Sequence, residues 1–309
     1  MKIKLKGLKT ILLSLLVMAL WGSLYPVVKI GYEAFNLDGT DVPSVLMFAG
    51  VRFTICGIVV MLISIARKDK YDSPKVKTIS LILLSGFFSI ILHYAFVYIG
   101  LAYTDSSKSA IIKQVGNLLY VCFAFLFFKS EKFSIFKIIG AVLGFIGIIA
   151  INFSGGIVKF TIGDILIILA SFCTVISSVL LKGLVVKNSP FLLNGTSQLF
   201  GGIVMMVVAF CMGAEMLTFN LKSTLVFSYI CLASMAGYVL WNYILRTCDL
   251  SNLFIIKFAE PLFACVFGAI LLQENIFRWQ YLIAFILICL GIMLGNKTKK
   301  VKKDDSKSI

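Results

Sequence analysis

The sequence predicts an all-α integral membrane protein of ten transmembrane helices, arranged as two inverted repeats of five. Three observations predict it. Of 309 residues, 60% are hydrophobic and 14% charged, with a mean hydropathy of +1.01, which leaves a water-soluble domain too little polar surface. Apolar runs long enough to cross a bilayer core, roughly 17–25 residues, recur between short polar turns. Finally, the chain matches itself at an offset of 144 residues.

Taken in order, the spans occupy 10–31, 44–66, 78–100, 107–128, 133–152, 164–182, 190–212, 223–245, 250–272 and 278–295. The first follows the lysine-rich start MKIKLKGLK, and with no small-residue cleavage site after it, it is a span rather than a signal peptide. The second opens after the turn NLDGTDVP at 36–43, and the third after RKDKYDSPKVK at 67–77. The fourth carries IIKQVGNL at 111–118, and the fifth is marked by Gly140, Gly144 and Gly147. SGG at 154–156 leads into the sixth and KNSP at 187–190 into the seventh. The eighth ends in YVLWNYILR, the ninth carries IIKFAEPL at 255–262, and the tenth holds Gly291 and Gly295. The first repeat is thus 10–152, the second 164–295, and a basic tail fills 296–309.

The net charge of +15 points to topology rather than to nucleic acid, because the lysines flank spans. With the N-terminus in the cytoplasm, cytoplasmic segments hold 21 basic residues and external ones four. Both termini are then cytoplasmic and the protein is multi-pass in the cell membrane. The remaining four, Lys29, Arg52, Lys113 and Lys257, lie inside spans. The eight cysteines form no CxxC pair, and His93 is the only histidine, which argues against a metal or redox site. There is no Walker A motif and no HExxH, so neither a cofactor nor an enzyme is indicated.

The self-match aligns 94–152 with 238–296 without a gap, with 15 of 59 pairs identical. Its informative pairs include Tyr94/Tyr238, Asp105/Asp249, Ser107/Ser251, Lys113/Lys257, Gly147/Gly291 and Asn152/Asn296. Five spans is an odd number, so the second copy enters the membrane from the opposite side. Inverted repeats of this kind mark secondary transporters, with the substrate site near the midplane between the halves. Asp105 and Asp249 read as N-caps of spans four and nine. At 1.5 Å per residue, Lys113 and Lys257 lie roughly 12 Å beyond them and Glu260 roughly 16 Å, near mid-membrane.

A charge in hydrocarbon is costly and points to function. Lys113, Lys257, Trp21, Tyr94, Tyr238 and Trp241 are the candidate cavity residues. Lys257 and Glu260, spaced i, i+3, can pair on one helix face. The pair is either a structural ion pair or a working one, in which Glu260 exchanges a proton or Lys257 holds an anion. Lys113 has no acid at i±3 or i±4, so it snorkels or takes water, another helix or a substrate anion as partner. His93 is the only side chain whose unperturbed pKa lies near neutrality, although a hydrogen-bonded structural role suits it better. Lys29 snorkels at the outer end of span one; Arg52 reads as a structural charge bonded to carbonyls at the repeat interface. The glycines of spans five and ten suit close helix contact, as scaffold or as the surface of a homodimer, with the monomer as the alternative state.

These residues resemble a known family. ALWGS at 19–23 with Lys29, Arg52-Phe53, LAYTDSSKSA at 101–110 and Glu131 are similar to a first EamA domain. GDILIILASFCTVISSVLLKGL at 163–184, Gln198 with Gly201-Gly202, YVLWNYILR and EPLFACVFGAILLQE at 260–274 match a second more closely. The chain is therefore similar to EamA-type members of the drug/metabolite transporter superfamily. The resemblance implies a central cavity lined by spans 1, 3, 4, 6, 8 and 9, alternating access, and small metabolites or drugs as cargo. In the first repeat, the family's usual proline of span four is replaced by Gly116-Asn117.

The expected function is secondary-active export of a small organic metabolite across the lipid bilayer. Arg52, Lys113 and Lys257 against Glu260 leave a positive excess, which suits an amino acid or other carboxylate-bearing solute. The alternative is a proton-coupled multidrug or quaternary-amine carrier built on Glu260 and the aromatics. Energy would come from a proton or substrate gradient.

Overall fold

In the computed structural model, the first apolar run folds as α1 (Lys2–Ala34), and Pro26 is carried inside it. The structure describes residues 2–70, 76–104, 109–110, 112–127, 133–152, 161–246, 248, 250–273 and 279–295. Helix α2 (Val42–Ala66) follows a turn in which Asn36 takes a left-handed backbone at φ 53°. In that turn the Asp38 carboxylate accepts from the Thr40 amide and hydroxyl, both at 2.8 Å, which holds its pKa below the usual range. The third run divides into α3 (Val76–Gly86), a π-helical stretch Phe87–Leu92, and α4 (His93–Tyr103). Then come α5 (Gln114–Phe127) and α6 (Ile135–Asn152).

The second half is better capped. A reciprocal box between Thr161 and Asp164 opens α7 (Ile162–Leu184), with Thr161 N to Asp164 Oδ2 at 2.7 Å. Ser189 caps α8 (Pro190–Cys211), with Pro190 at its first position, where a missing N–H does no harm. Asn220 and Ser223 box the start of α9 (Leu221–Leu245). The ninth run is broken into α10 (Leu250–Ile256), a 3-10 turn Lys257–Ala259, and α11 (Glu260–Leu272). Helix α12 (Trp279–Gly295) completes the described chain. The expected N-caps Asp105 and Asp249, together with Glu131, the SGG turn and the basic tail, fall outside the described residues.

Among the described residues, seven helical stretches are long and apolar enough to cross a membrane. They correspond to expected spans one, two, three, six, seven, eight and nine. Spans four, five and ten are described as shorter helices of 14, 18 and 17 residues. The burial pattern is that of a protein in lipid. Ile270 and Phe210 are about 70% exposed (68% and 70%), whereas Arg52, Glu260 and Lys257 are 0%, 1% and 3% exposed.

Helix α2 runs along α8, and α6 along α12. Helix α1 lies against α9 and α11, while α7 lies against α4 and α5, and α5 also meets α10. Exchanging each first-half segment for its second-half counterpart leaves this set of neighbours unchanged, as a two-fold relation between the halves requires. Small residues permit the closest contacts. A Cβ at Gly57 would stand 2.3 Å from the Leu199 nitrogen, and one at Gly291 would stand 2.5 Å from the Gly140 carbonyl oxygen. Gly140, Gly144 and Gly291 therefore serve contact within the chain.

One end of the bundle is closed by a reciprocal clasp. Lys182, in the last turn of α7, donates to the Leu245 carbonyl at 2.7 Å and also to that of Cys248, at the end of α9. Arg246, just past α9, donates to the carbonyls of Val185 and Asn188, each at 2.5 Å. Each cation thus satisfies carbonyls that the other helix leaves without intrahelical partners.

Candidate functional site

The two lysine-bearing phrases both mark helix breaks. Pro261 has no N–H to offer the Lys257 carbonyl, so the Glu260 N–H bonds it at i−3 and the chain tightens into the 3-10 turn. In the first copy, the Lys113 amide still bonds the Ser109 carbonyl at 3.0 Å, but Lys113 itself is a turn residue and α5 begins only at Gln114. Asn117 occupies the position of Pro261, and its Nδ2 donates to Gln114 Oε1 at 2.6 Å. The π-helical stretch, whose Ser89 and Ile90 line the same space, adds a third irregularity. Discontinuous helices of this kind gather around transporter binding sites.

These breaks surround an open cavity with about 950 Å³ of empty space, part of it continuous with the outside. Trp21, Tyr94, Lys113, Tyr238, Trp241 and Lys257 all line it, as do Glu260, His93 and Arg52. Lys29 lies on α1 outside it. The expected lining by spans 1, 3, 4, 6, 8 and 9 extends further. Helix α2 contributes Arg52, and α8 contributes Asn194, Ser197 and Gln198.

The ion pair is not the one that i, i+3 spacing suggests. Lys113 Nζ, not Lys257, donates to Glu260 Oε1, at 3.1 Å. The Tyr25 hydroxyl donates to the same oxygen at 3.2 Å. The 3-10 turn keeps Lys257 and Glu260 on one side of the chain, since residues i and i+3 eclipse there, but the Lys257 ammonium lies among the rings of Trp21, Trp241 and Phe254 and not on the carboxylate. The pair that forms instead joins the two halves of the chain.

Lys257 has no ion pair or hydrogen bond among the described residues. Its Nζ lies 4.8 Å from the ring centre of Trp241, 5.3 Å from that of Phe254 and 5.4 Å from that of Trp21, so aromatic faces surround the charge and the Glu260 carboxylate attracts it only without contact. The repeat explains the difference. A shift of 144 residues carries Glu260 onto Gly116, so the position that would serve Lys257 by symmetry has no side chain. Nor is there room for one, because a Cβ at Gly116 would stand 2.8 Å from the Ser171 carbonyl oxygen.

Arg52 is bonded to hydroxyls rather than to the expected carbonyls. Its Nε donates to Ser234 Oγ at 3.1 Å and its Nη1 to the Tyr98 hydroxyl, and its guanidinium lies 4.8 Å from the Phe53 ring centre. Among the described residues it has no carboxylate partner. His93 Nδ1 lies 2.9 Å from the Ala170 carbonyl oxygen, which can only accept, so this nitrogen carries the hydrogen. Thr174 Oγ1 is 3.1 Å from the same nitrogen. Tyr238 donates to the Tyr94 hydroxyl at 3.1 Å, and Trp21 packs edge-on against Tyr238 with ring centres 5.6 Å apart.

Sequence reasoning did not place Tyr25, Asn194, Gln198 or Asn242 in the cavity. A signal existed for two of them, since Asn194, Ser197 and Gln198 follow the i, i+3, i+4 spacing of one helix face.

A model of the EamA-like transporter family matches residues 8–153 and again 161–296. The chain belongs to that family. Its relatives include an uncharacterized transporter of Archaeoglobus fulgidus, 26% identical over 278 residues, covering 86% of this chain and 90% of that protein. The uncharacterized transporter YoaV of Bacillus subtilis is 23% identical, covering 92% and 95% of the two chains. The uncharacterized inner membrane transporter YedA of Escherichia coli is 24% identical, covering 88% of each. A solved crystal structure superposes with a TM-score of 0.73 at 15% identity, covering 93% of this chain and 96% of that one. That likeness concerns the fold alone. As a member of the EamA-like transporter family, this chain is a membrane transporter.

Proposed function

We propose that this EamA-family protein is a secondary-active exporter of a small carboxylate-bearing metabolite, foremost an amino acid. In this reading it has ten spans in two inverted five-helix repeats, both termini lie in the cytoplasm, and access alternates across the cavity. The observation that carries the reading is Lys257, a buried cation at a helix break, facing the cavity with no anionic partner among the described residues. A substrate carboxylate supplies the missing charge. Glu260 uses only Oε1 for Lys113 and Tyr25, which leaves Oε2 for a substrate ammonium. Lys257 and Glu260 together then hold the two ends of a zwitterion. A proton taken by Glu260 would release both Lys113 and that ammonium, which provides a route for coupling to a proton gradient.

The test is thermal stability of the purified protein against anionic, zwitterionic and cationic metabolites. A ligand that binds only the folded state stabilises it by about 2.7 kcal/mol at a hundred times its Kd. Carboxylate-bearing compounds should raise the melting temperature of the wild type and not of Lys257→Met. A response to quaternary amines alone would overturn the reading in favour of a cation carrier. Against that outcome, the Trp21 and Trp241 faces are already occupied by Lys257.

A further inference from the structure

A small amide network borders the same cavity, and its hydrogen-bond directions can be worked out. Asn194 Nδ2 donates to the Pro190 carbonyl at 2.8 Å and to the Tyr238 carbonyl at 3.1 Å. These contacts fix which end of the Asn194 amide is nitrogen. Its oxygen accepts from Asn242 Nδ2 at 3.1 Å. Asn242 is therefore oriented too, and its Oδ1 has no hydrogen-bond partner among the described residues. One turn along α8 from Asn194 stands Gln198, fully buried and lining the cavity, with neither Nε2 nor Oε1 partnered among the described residues. An amide is seldom buried with both ends unmatched, and at a cavity wall the matching groups can come from what the cavity takes in.

We infer that Gln198, backed by the Asn194–Asn242 pair, selects an amino-acid substrate whose side chain ends in a neutral carboxamide. This rests on the amino-acid reading above. Gln198 presents one donor and one acceptor side by side, and a carboxamide presents the complementary pair. Asn242 Oδ1 is a second acceptor for the carboxamide's other N–H. A carboxylate side chain would offer acceptors only and leave both carbonyls unmatched. An ammonium side chain would leave the Gln198 N–H unmatched and would add positive charge to a cavity that already holds Arg52, Lys113 and Lys257. An aliphatic side chain would leave all three polar atoms unmatched.

The experiment is calorimetric binding of L-glutamine, L-glutamate and the length-matched L-norleucine to the detergent-purified full-length protein and to Gln198→Met and Lys257→Met. L-glutamine should bind the wild type about tenfold or more tightly than either other ligand. Gln198→Met should lose the preference over norleucine while still binding norleucine. Without ligand, it should melt at the same or a higher temperature, because an unmatched amide is replaced by an apolar chain of similar size. Equal wild-type affinity for glutamine and norleucine, abolished for both by Lys257→Met, overturns this inference and leaves the amino-acid reading standing. A preference that survives in Gln198→Met, or a lower melting temperature of that variant, also overturns it. If no ligand binds and Lys257→Met changes nothing, the amino-acid reading falls and the carboxamide inference with it. The wild-type comparison holds whatever the substitution does to folding.

Discussion

The Tyr238 hydroxyl donates to that of Tyr94 at 3.1 Å, and the two tyrosines are 144 residues apart, which is the repeat offset itself. A residue can touch its own repeat counterpart only beside the axis that relates the copies. That contact places the axis at the cavity wall, with Lys113 and Lys257 lining the same space.

Two lysines in matching phrases should nevertheless behave differently. Lys113→Ala leaves Glu260 buried with Tyr25 as its only hydrogen-bond partner among the described residues, and breaking a buried pair from one side destabilises by about 3–5 kcal/mol. A clear drop in melting temperature is expected. The double variant Lys113→Met/Glu260→Gln should recover more than half of it, because neither member of the pair is then left as a charge without its partner.

Lys257→Met should do the opposite. It removes a buried ammonium that has no ion pair or hydrogen bond among the described residues, so stability should hold within about 1 kcal/mol or rise. A loss as large as that of Lys113→Ala would show that Lys257 has a strong partner in the folded state.

The α2–α8 contact depends on missing side chains. Gly57→Ala would place a Cβ 2.3 Å from the Leu199 backbone nitrogen, and overpacking of this kind costs about 1–3 kcal/mol. Gly183, within α7, has nothing within 4 Å of the equivalent position. Gly183→Ala should therefore stabilise by about 0.5–1 kcal/mol through helix propensity. Melting curves of the two variants should move in opposite directions.

The clasp of Lys182 and Arg246 on opposing carbonyls should govern opening at its end of the bundle. Replacing Arg246 with methionine removes its bonds to the Val185 and Asn188 carbonyls, each worth about 1.5–3 kcal/mol for a charged donor. Hydrogen exchange across 183–189 should accelerate by tenfold or more, while exchange in α2 stays unchanged.

The membrane class and both lysine phrases were legible because composition and repetition leave direct marks in a sequence. The aromatic candidates Trp21, Tyr94, Tyr238 and Trp241 were legible from depth and from the repeat. The partner of Glu260 was not, because helical spacing points to Lys257 and only the folded pairing of the two halves brings Lys113 to it. Gln198 and Asn242 were missed for a different reason. At the repeat offset they face Thr54 and Tyr98, so self-comparison gives them no weight.

Arg52 has a consequence for how the chain is made. Its hydroxyl partners lie 46 residues later at Tyr98 and 182 residues later at Ser234. At about 5–20 residues per second, the ribosome takes roughly 10–40 s to deliver Ser234. Through that interval α2 sits in the bilayer with an arginine whose insertion costs about 2.5–3.5 kcal/mol at the centre of a helix. Tyr98 reaches it first, so the nascent first half holds its charge with one bond. Ser234, on the second half, can supply the other bond only once that half has been made.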